Sequence, residues 1–339
     1  MELKLTFDDV GLAPVYNNVD SRADTDISTT ISSSGLKIDV PILASNMESV
    51  IGPVLASGME KAGSVPIFSR FMTVENKMSA VEAFPNCFMS VGVNDEKELK
   101  YLVDAGLKGV CFDIAQGHDS RMLDQVEKAR VLGLDVMAGT INSPEAYTDL
   151  VNAGANSIRV GVGSGSACLT RIQTGFGVPQ LQTLLDIQPL VMRYKVPMIS
   201  DGGIRIPADA VKAIAAGASA VMCGRLFAQT YESAGRRKEE KGRLYCLYRG
   251  QASESLQKAF YGEVKEGSTA EGACEWIEVR EKLSDLLKRF CGGIRSGLTY
   301  GGSRTIEEFQ RKVREFDLMF RVTPNYLIES NIRLDNRYY

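Results

Sequence analysis

Eight short apolar runs constrain this chain more than any other feature, because each ends in small polar residues. They are PILASNM (41–47), VPIFSRF (65–71), CFMSVGV (87–93), GVCFDIAQG (109–117), DVMAGT (135–140), SIRVGVG (157–163), PMISDGG (197–203) and AVMCGRL (220–226). Runs that are apolar throughout fit strands buried on both faces, which points to parallel pairing. Between them lie helical patterns at 95–106, 120–133, 143–154 and 206–217. These close on Ala-Gly or Leu-Gly, a helix C-cap signal. Eight such units closing on themselves predict an α/β fold, a (β/α)8 barrel, as one catalytic domain over 1–339. A doubly wound open sheet is the alternative, but it rarely uses eight regular units.

A barrel places chemistry at the C-terminal strand ends and in the loops after them. Those ends here read SNM, SRF, GVN, DIAQG, AGT, GVGSGSACLT, SDGG and CGR, rich in Gly, Ser, Asn and Asp. After the eighth run the pattern breaks into the polar, glycine-punctuated block 227–275. A block of that length in a compact domain reads as a functional lid, spanning about 227–280, with 232–243 as a solvated charged face. A helix pair at 281–290 and 305–316 follows, split by CGGIRSGLTYGGS. The tail 317–339 reads as a subunit-contact or disordered segment.

Charge and composition exclude several function classes. A net charge of -3 offers no polyanion-binding surface, so no nucleic-acid partner is expected. The N-terminus MELKLTFDDV has no signal-peptide core, and no apolar run reaches membrane-spanning length. We therefore expect a soluble, cytoplasmic protein with no membrane partner. Seven cysteines, an odd number without close pairing, argue against a disulfide framework. Cys87, Cys111 and Cys223 lie inside apolar runs and read as small buried hydrophobes. The single histidine, His118, leaves acid–base work to other side chains and excludes a His-rich metal site.

Cys168 differs from the other thiols because it sits in the glycine loop GVGSGSACLTR (161–171). Backbone amides and Arg171 would make that position electropositive, as a nucleophilic thiol requires. The turn SDGGIR (200–205) places Asp201 where it suits a ribose diol. The amides of Gly203 and Gly224 then suit a phosphate. A tight turn with an Asp cap is the other reading of that stretch.

GVGSGSACLTR, SDGGIR, YRGQAS, STAEG and GGIRSGLTYGG occur in this order, with LTFDDVGLAP and PILASNMESV before them. Together they resemble the inosine monophosphate dehydrogenase and GMP reductase family from about residue 5 to about residue 305. The paired CBS domains found in most dehydrogenases of the family have no room between 53 and 71. The resemblance implies that Cys168 adds to C2 of the purine, with Thr170 and Glu271 handling protons. It implies a purine nucleotide (GMP or IMP) held by Asn46, Ser166, Asp201, Gly203, Gly224, Arg225, Tyr248, Gln251, Ala252 and Ser253. It further implies a nicotinamide cofactor, NADPH for a reductase, near Asp113, Ala115, Arg171, Ser296 and Tyr300. A monovalent cation such as K+ would sit on carbonyls around Gly163, Gly165 and Cys168, and the assembly would be a homotetramer.

Within the family, several features favour the reductase. TRIQTG (170–175) resembles the reductase loop, and Asn46 in SNMES resembles the reductase phrase. Residues 254–272 contain no arginine, whereas the dehydrogenase lid carries an Arg-Tyr pair. The short form without CBS domains is also usual for reductases. AQGH and YRG read more like the dehydrogenase. Gln251 replaces the family's base-facing Met, Gly224-Arg225 replaces its Gly-Gly or Gly-Ser turn, and FSRFM (68–72) replaces VHKHY. Gln251 could donate or accept at the purine edge, and Arg225 could meet phosphate or point away. Oxidation of IMP with NAD, reduction of a modified or deoxy purine nucleotide, and a non-catalytic nucleotide-binding protein therefore stay open.

Overall fold

The computed structural model describes residues 2–264, 269–323 and 326. Eight parallel strands form its centre: β1 (Ile42–Ala44), β2 (Ile67–Phe68), β3 (Phe88–Val91), β4 (Gly109–Asp113), β5 (Asp135–Ile141), β6 (Ser157–Val160), β7 (Met198–Asp201) and β8 (Ala220–Cys223). They hydrogen-bond in the order β1-β8-β7-β6-β5-β4-β3-β2, with Cys223 of β8 opposite Ala44 of β1. Helices alternate with them: α1 (Pro53–Lys61), α2 (Val74–Ala83), α3 (Glu96–Asp104), α4 (Ser120–Val131), α5 (Pro144–Ala153), α6 (Gln180–Tyr194) and α7 (Pro207–Ala215). This is the expected (β/α)8 barrel. All eight runs become strands, but most are cut short at the C-terminal end. The Gly, Ser and Asn residues there leave the sheet to build loops. The Gly ends of the helices behave as read: Gly106, Gly154 and Gly217 all take positive φ after their helices.

The barrel interior is a layer of inward side chains: Leu43, Ile67, Phe88, Cys111, Met137, Ile199, Ala220 and Met222. A hairpin (Thr29–Thr30 with Lys37–Ile38) adds Ile31 and Ile38 to the same cluster. It closes the N-terminal end, where Ser32 and Ser34 hydroxyls donate to Asp135 at the start of β5 (2.7 and 2.5 Å). With that end plugged, ligands can enter only at the other. Cys87, Cys111 and Cys223 are buried as expected. Burial pushes the Cys87 thiol up to about 12 and the Cys111 thiol up to about 11, so neither is a nucleophile.

Two sequence expectations change. Residues 232–243 are not simply a solvated charged face. A three-stranded antiparallel sheet follows β8, made of β9 (Arg237–Glu240), β10 (Arg243–Arg249) and β11 (Cys274–Glu278). Arg237 pins its start by donating to the carbonyls of Thr230, Tyr231 and Ser233. The helix α8 (Glu254–Tyr261) lies between β10 and β11. The stretch CGGIRSGLTY is not a break but part of one helix, α9 (Leu283–Tyr300). Its glycines allow close packing on α7: a Cβ on Gly293 would overlap Pro207, and one on Gly297 would come within 2.6 Å of Val211. Helix α10 (Ile306–Glu315) follows, and Met319–Arg321 pairs antiparallel with Val10–Leu12. Residues 324, 325 and 327–339 of the anticipated tail, and 265–268 of the anticipated lid, lie outside the described residues. Among the described residues, no helix is long and apolar enough to cross a membrane.

Phe88 is 1% exposed at the centre of the interior layer. Phe88→Ala should cost about 3–5 kcal/mol through lost burial and a residual cavity. A fall in the denaturation midpoint with an unchanged urea slope would register it.

Candidate active site

The strand ends surround a cavity of about 520 Å³ at the open end of the barrel. That volume is within the range of small-ligand sites. The least exposed charged residue of its lining is Arg159, on β6 and 3% exposed. Its guanidinium donates to Asp113 at the end of β4 (2.8 Å) and twice to Asp201 at the end of β7 (2.6 and 3.1 Å). A buried charge is tolerable only when paired this way. Burial pushes the Asp201 carboxyl up from the usual range, while Arg159 pulls it back. Asp113 keeps one oxygen, Oδ2, buried and without a partner among the described residues. Sequence reading passed over Arg159. The available signal was a lone cation inside the otherwise apolar run SIRVGVG.

The loop after β6 leaves the barrel at Gly161, φ +145°, where a Cβ would overlap the Asp201 carbonyl. Ser164 Oγ donates to that same carbonyl (2.8 Å). The Cys168 amide closes a turn on the Gly165 carbonyl (2.9 Å). These contacts present the half-buried Cys168 thiol at the cavity wall. Its Sγ lies 3.2 Å from Thr170 Oγ1, whose hydroxyl donates to Glu271 Oε2 (2.6 Å). Glu271 comes from the excursion after β8, 101 residues further along the chain. Two backbone bonds lock it in place: Leu169 N–H to the Glu271 carbonyl (2.6 Å) and Ala273 N–H to the Ala167 carbonyl (2.8 Å).

Opposite the thiol, Gly202 and Gly203 take positive φ (+84° and +78°) after Asp201. The Gly203 and Gly224 amides line the cavity and have no protein partner among the described residues. Tyr248 of β10 stands over Gly224. A Cβ there would lie 2.6 Å from the Tyr248 hydroxyl, so only glycine leaves this cradle open. Ser166 Oγ lies 3.4 Å from the same hydroxyl. Burial pushes the Tyr248 phenol up to about 12, keeping it a neutral donor. Arg225 lines the cavity but its guanidinium is ion-paired with Glu275 of β11.

The other expected residues divide. Gln251, Ala252 and Ala115 line the cavity, as do Gly163 and Gly165. Asn46 is fully buried; its side chain donates to Ser90 (2.8 Å) and its carbonyl accepts from Gln251 (2.9 Å). Ser253 is buried behind the turn, bridged to Gly272. Arg171 lies across Gly163 and Gly177 and donates to the Val178 carbonyl, stapling the loop from outside. Ser296 and Tyr300 lie on α9 and do not line the cavity. His118 pairs with Asp149 on α5 (2.8 Å), also outside it. A second cavity of about 490 Å³ shares Arg70 and Ile114 with the first. No cluster of His, Cys, Asp and Glu that could hold a metal occurs among the described residues.

A family model described as the IMP dehydrogenase / GMP reductase domain matches residues 4–332. The chain is 41% identical to an inosine-5'-monophosphate dehydrogenase of Aquifex aeolicus over 235 residues, 66% of this chain and 48% of that protein. It thus spans about half the length of that relative. It is 31% identical to GMP reductase 2 of Homo sapiens over 342 residues, 95% of this chain and 97% of that one. It is 32% identical to a GMP reductase of Escherichia coli O157:H7 over 92% of this chain and 94% of that one.

Arg159→Met should cost about 3–5 kcal/mol, because two buried carboxylates lose their counter-charge. Burial already raises the Asp201 carboxyl, and losing the guanidinium raises it further. A carboxyl raised in the folded state binds its proton more tightly there than in the unfolded chain. The variant's deficit is therefore greatest at neutral pH and shrinks as pH falls through the raised value. Denaturation midpoints in neutral and mildly acidic buffer should show this convergence.

Proposed function

The chain belongs to the IMP dehydrogenase / GMP reductase family of oxidoreductases, and we propose that within it the protein is a GMP reductase: it converts GMP to IMP and ammonia at the expense of NADPH. The observation that carries this is the hydrogen-bonded line Cys168–Thr170–Glu271, at 3.2 and 2.6 Å. A protein that only binds a nucleotide has no use for a thiol connected to a carboxylate through a hydroxyl.

The substrate would lie with its phosphate at the Gly203 and Gly224 amides, Ser166 and Tyr248, its ribose at Asp201, and its base at Gln251, Ala252 and Met47, which lines the same cavity. Proton movement along the line then balances the substitution. The thiol proton passes through Thr170 to Glu271 as Sγ attacks C2. The C2–S bond forms, and the C2–N bond breaks. The stored proton returns through Thr170 to the departing amino group, which leaves as ammonia.

A nicotinamide dinucleotide fits the remaining space. The unpartnered Asp113 Oδ2 matches the amide donor of a carboxamide, and the adjoining cavity past Arg70 and Ile114 extends the site. When bound, NADPH would supply the hydride that C2 receives as the C2–S bond breaks, and one proton from solvent would return the released thiolate to the thiol. The carbonyls of Gly163, Gly165 and Cys168 are hard oxygen donors suited to a monovalent cation such as K+, which would stiffen the thiol loop.

Two sequence facts favour the reductase over the dehydrogenase. Residues 254–272 hold no arginine to activate water, and the reductase relatives match nearly end to end. The 41% identity to the Aquifex dehydrogenase favours the second reading, oxidation of IMP with NAD. The assay pairs decide. GMP with NADPH should give IMP, ammonia and loss of the reduced-nicotinamide absorbance, while IMP with NAD should be inert. The reverse pattern would establish the dehydrogenase.

Cys168→Ala should abolish turnover while GMP affinity, measured by calorimetry, stays within a few-fold. Glu271→Gln should slow ammonia release by about a hundredfold or more, with a much smaller effect on the reduction step. Single-turnover measurements resolve the two, and equal slowing would remove Glu271 from the role given it.

A further inference from the structure

Gln251 is half-buried on the cavity wall, in the turn between β10 and α8. Its Nε2 donates to the Asn46 carbonyl (2.9 Å). A carbonyl can only accept, so this contact fixes which end of the amide is which. The anchor is rigid, because Asn46 is fully buried and tied to Ser90. Gln251 Oε1 has no partner among the described residues, and it is not among the buried polar atoms sealed from solvent. The side chain therefore presents an acceptor, with one of its two Nε2 hydrogens held on the Asn46 carbonyl.

The turn is also held against the thiol loop. A Cβ on Gly250 would lie 2.8 Å from the Ala167 carbonyl, and Gly272 bridges to both Cys168 and Ser253. Gln251 thus reaches its anchor in the loop just after β1 from beside Cys168, whereas Asp201 is on β7. With C2 at the thiol and the ribose at Asp201, the purine edge left for this turn is N1–C6.

We propose that Gln251 is a specificity-determining residue: its Oε1 accepts the N1–H of a 6-oxopurine nucleotide and disfavours 2-aminopurine nucleotides that lack a donor on that edge. This rests on the purine reading above. A guanine or hypoxanthine lactam satisfies the acceptor. A purine with an unprotonated N1 and a hydrogen at C6 leaves it unpaired, and a site built for a hydrogen bond rejects the analogue lacking it.

The test is calorimetric binding of GMP and of 2-aminopurine riboside 5′-monophosphate to the wild-type protein and to Gln251→Met. The two nucleotides share the 2-amino group, sugar and phosphate, and binding needs neither turnover nor cofactor. Wild type should prefer GMP by about tenfold or more. Gln251→Met should reduce that preference about tenfold while still binding both nucleotides. No preference in wild type, or the same preference in both proteins, would overturn the assignment and leave the purine site intact. Binding of neither nucleotide by wild type would overturn the purine reading itself, and this assignment with it.

Discussion

The working end of this barrel depends on one buried cation. Arg159 occupies an interior position where neighbouring strands place Cys111, Met137 and Ile199, and it is kept there by carboxylates 46 residues before it and 42 after it. Such a group is costly to bury unless both partners stay in place. Each partner therefore has a second use. Asp201 lines the cavity, and its carbonyl holds Ser164 of the thiol loop. Asp113 also lines the cavity and keeps one buried oxygen without a partner among the described residues. The triad sets the separation between the two halves of the site and the starting point of the loop that carries Cys168.

The second constraint is close backbone approach. The excursion after β8 brings Glu271 to Thr170 only because Gly250 and Gly272 let its backbone pack against Ala167 and Cys168 without side chains between. Ion pairs from Arg249 to Glu48 (2.6 Å) and from Arg225 to Glu275 then hold the sheet in register over the barrel mouth. Phe71, from the loop after β2, meets Phe260 and Tyr261 of α8 edge-on, with ring centres 5.4 and 6.0 Å apart. The barrel supplies the Cys168 thiol and the glycine turns at 202–203 and 224. The excursion supplies Glu271, Tyr248 and the turn that carries Gln251.

Much of this was legible from local pattern. Apolar runs with glycine-capped helices between them are read over a dozen residues at a time, so eight strands, their order in the chain and their chemistry-bearing ends could be found. Cys168 and Thr170 stood out because two residues on one loop cannot be far apart. Legibility failed where a residue's meaning depended on a distant neighbour. The glycines of GGIRSG look like a break until Pro207 and Val211 lie against them. Arg225 looked free to meet a phosphate until Glu275 arrived beside it. Glu271 entered only through the family resemblance.

By itself, then, the sequence determined the barrel, the face at which the strand-end loops gather and the thiol that stands in their glycine loop, because period, capping and loop composition act over short spans. The tertiary structure alone decided that Arg159 joins Asp113 to Asp201, that Glu271 completes the line from Cys168, and that Gln251 offers oxygen rather than nitrogen. Each of those outcomes is a contact between strand ends or loops that strand register and backbone packing bring together, and local spacing carries no record of it.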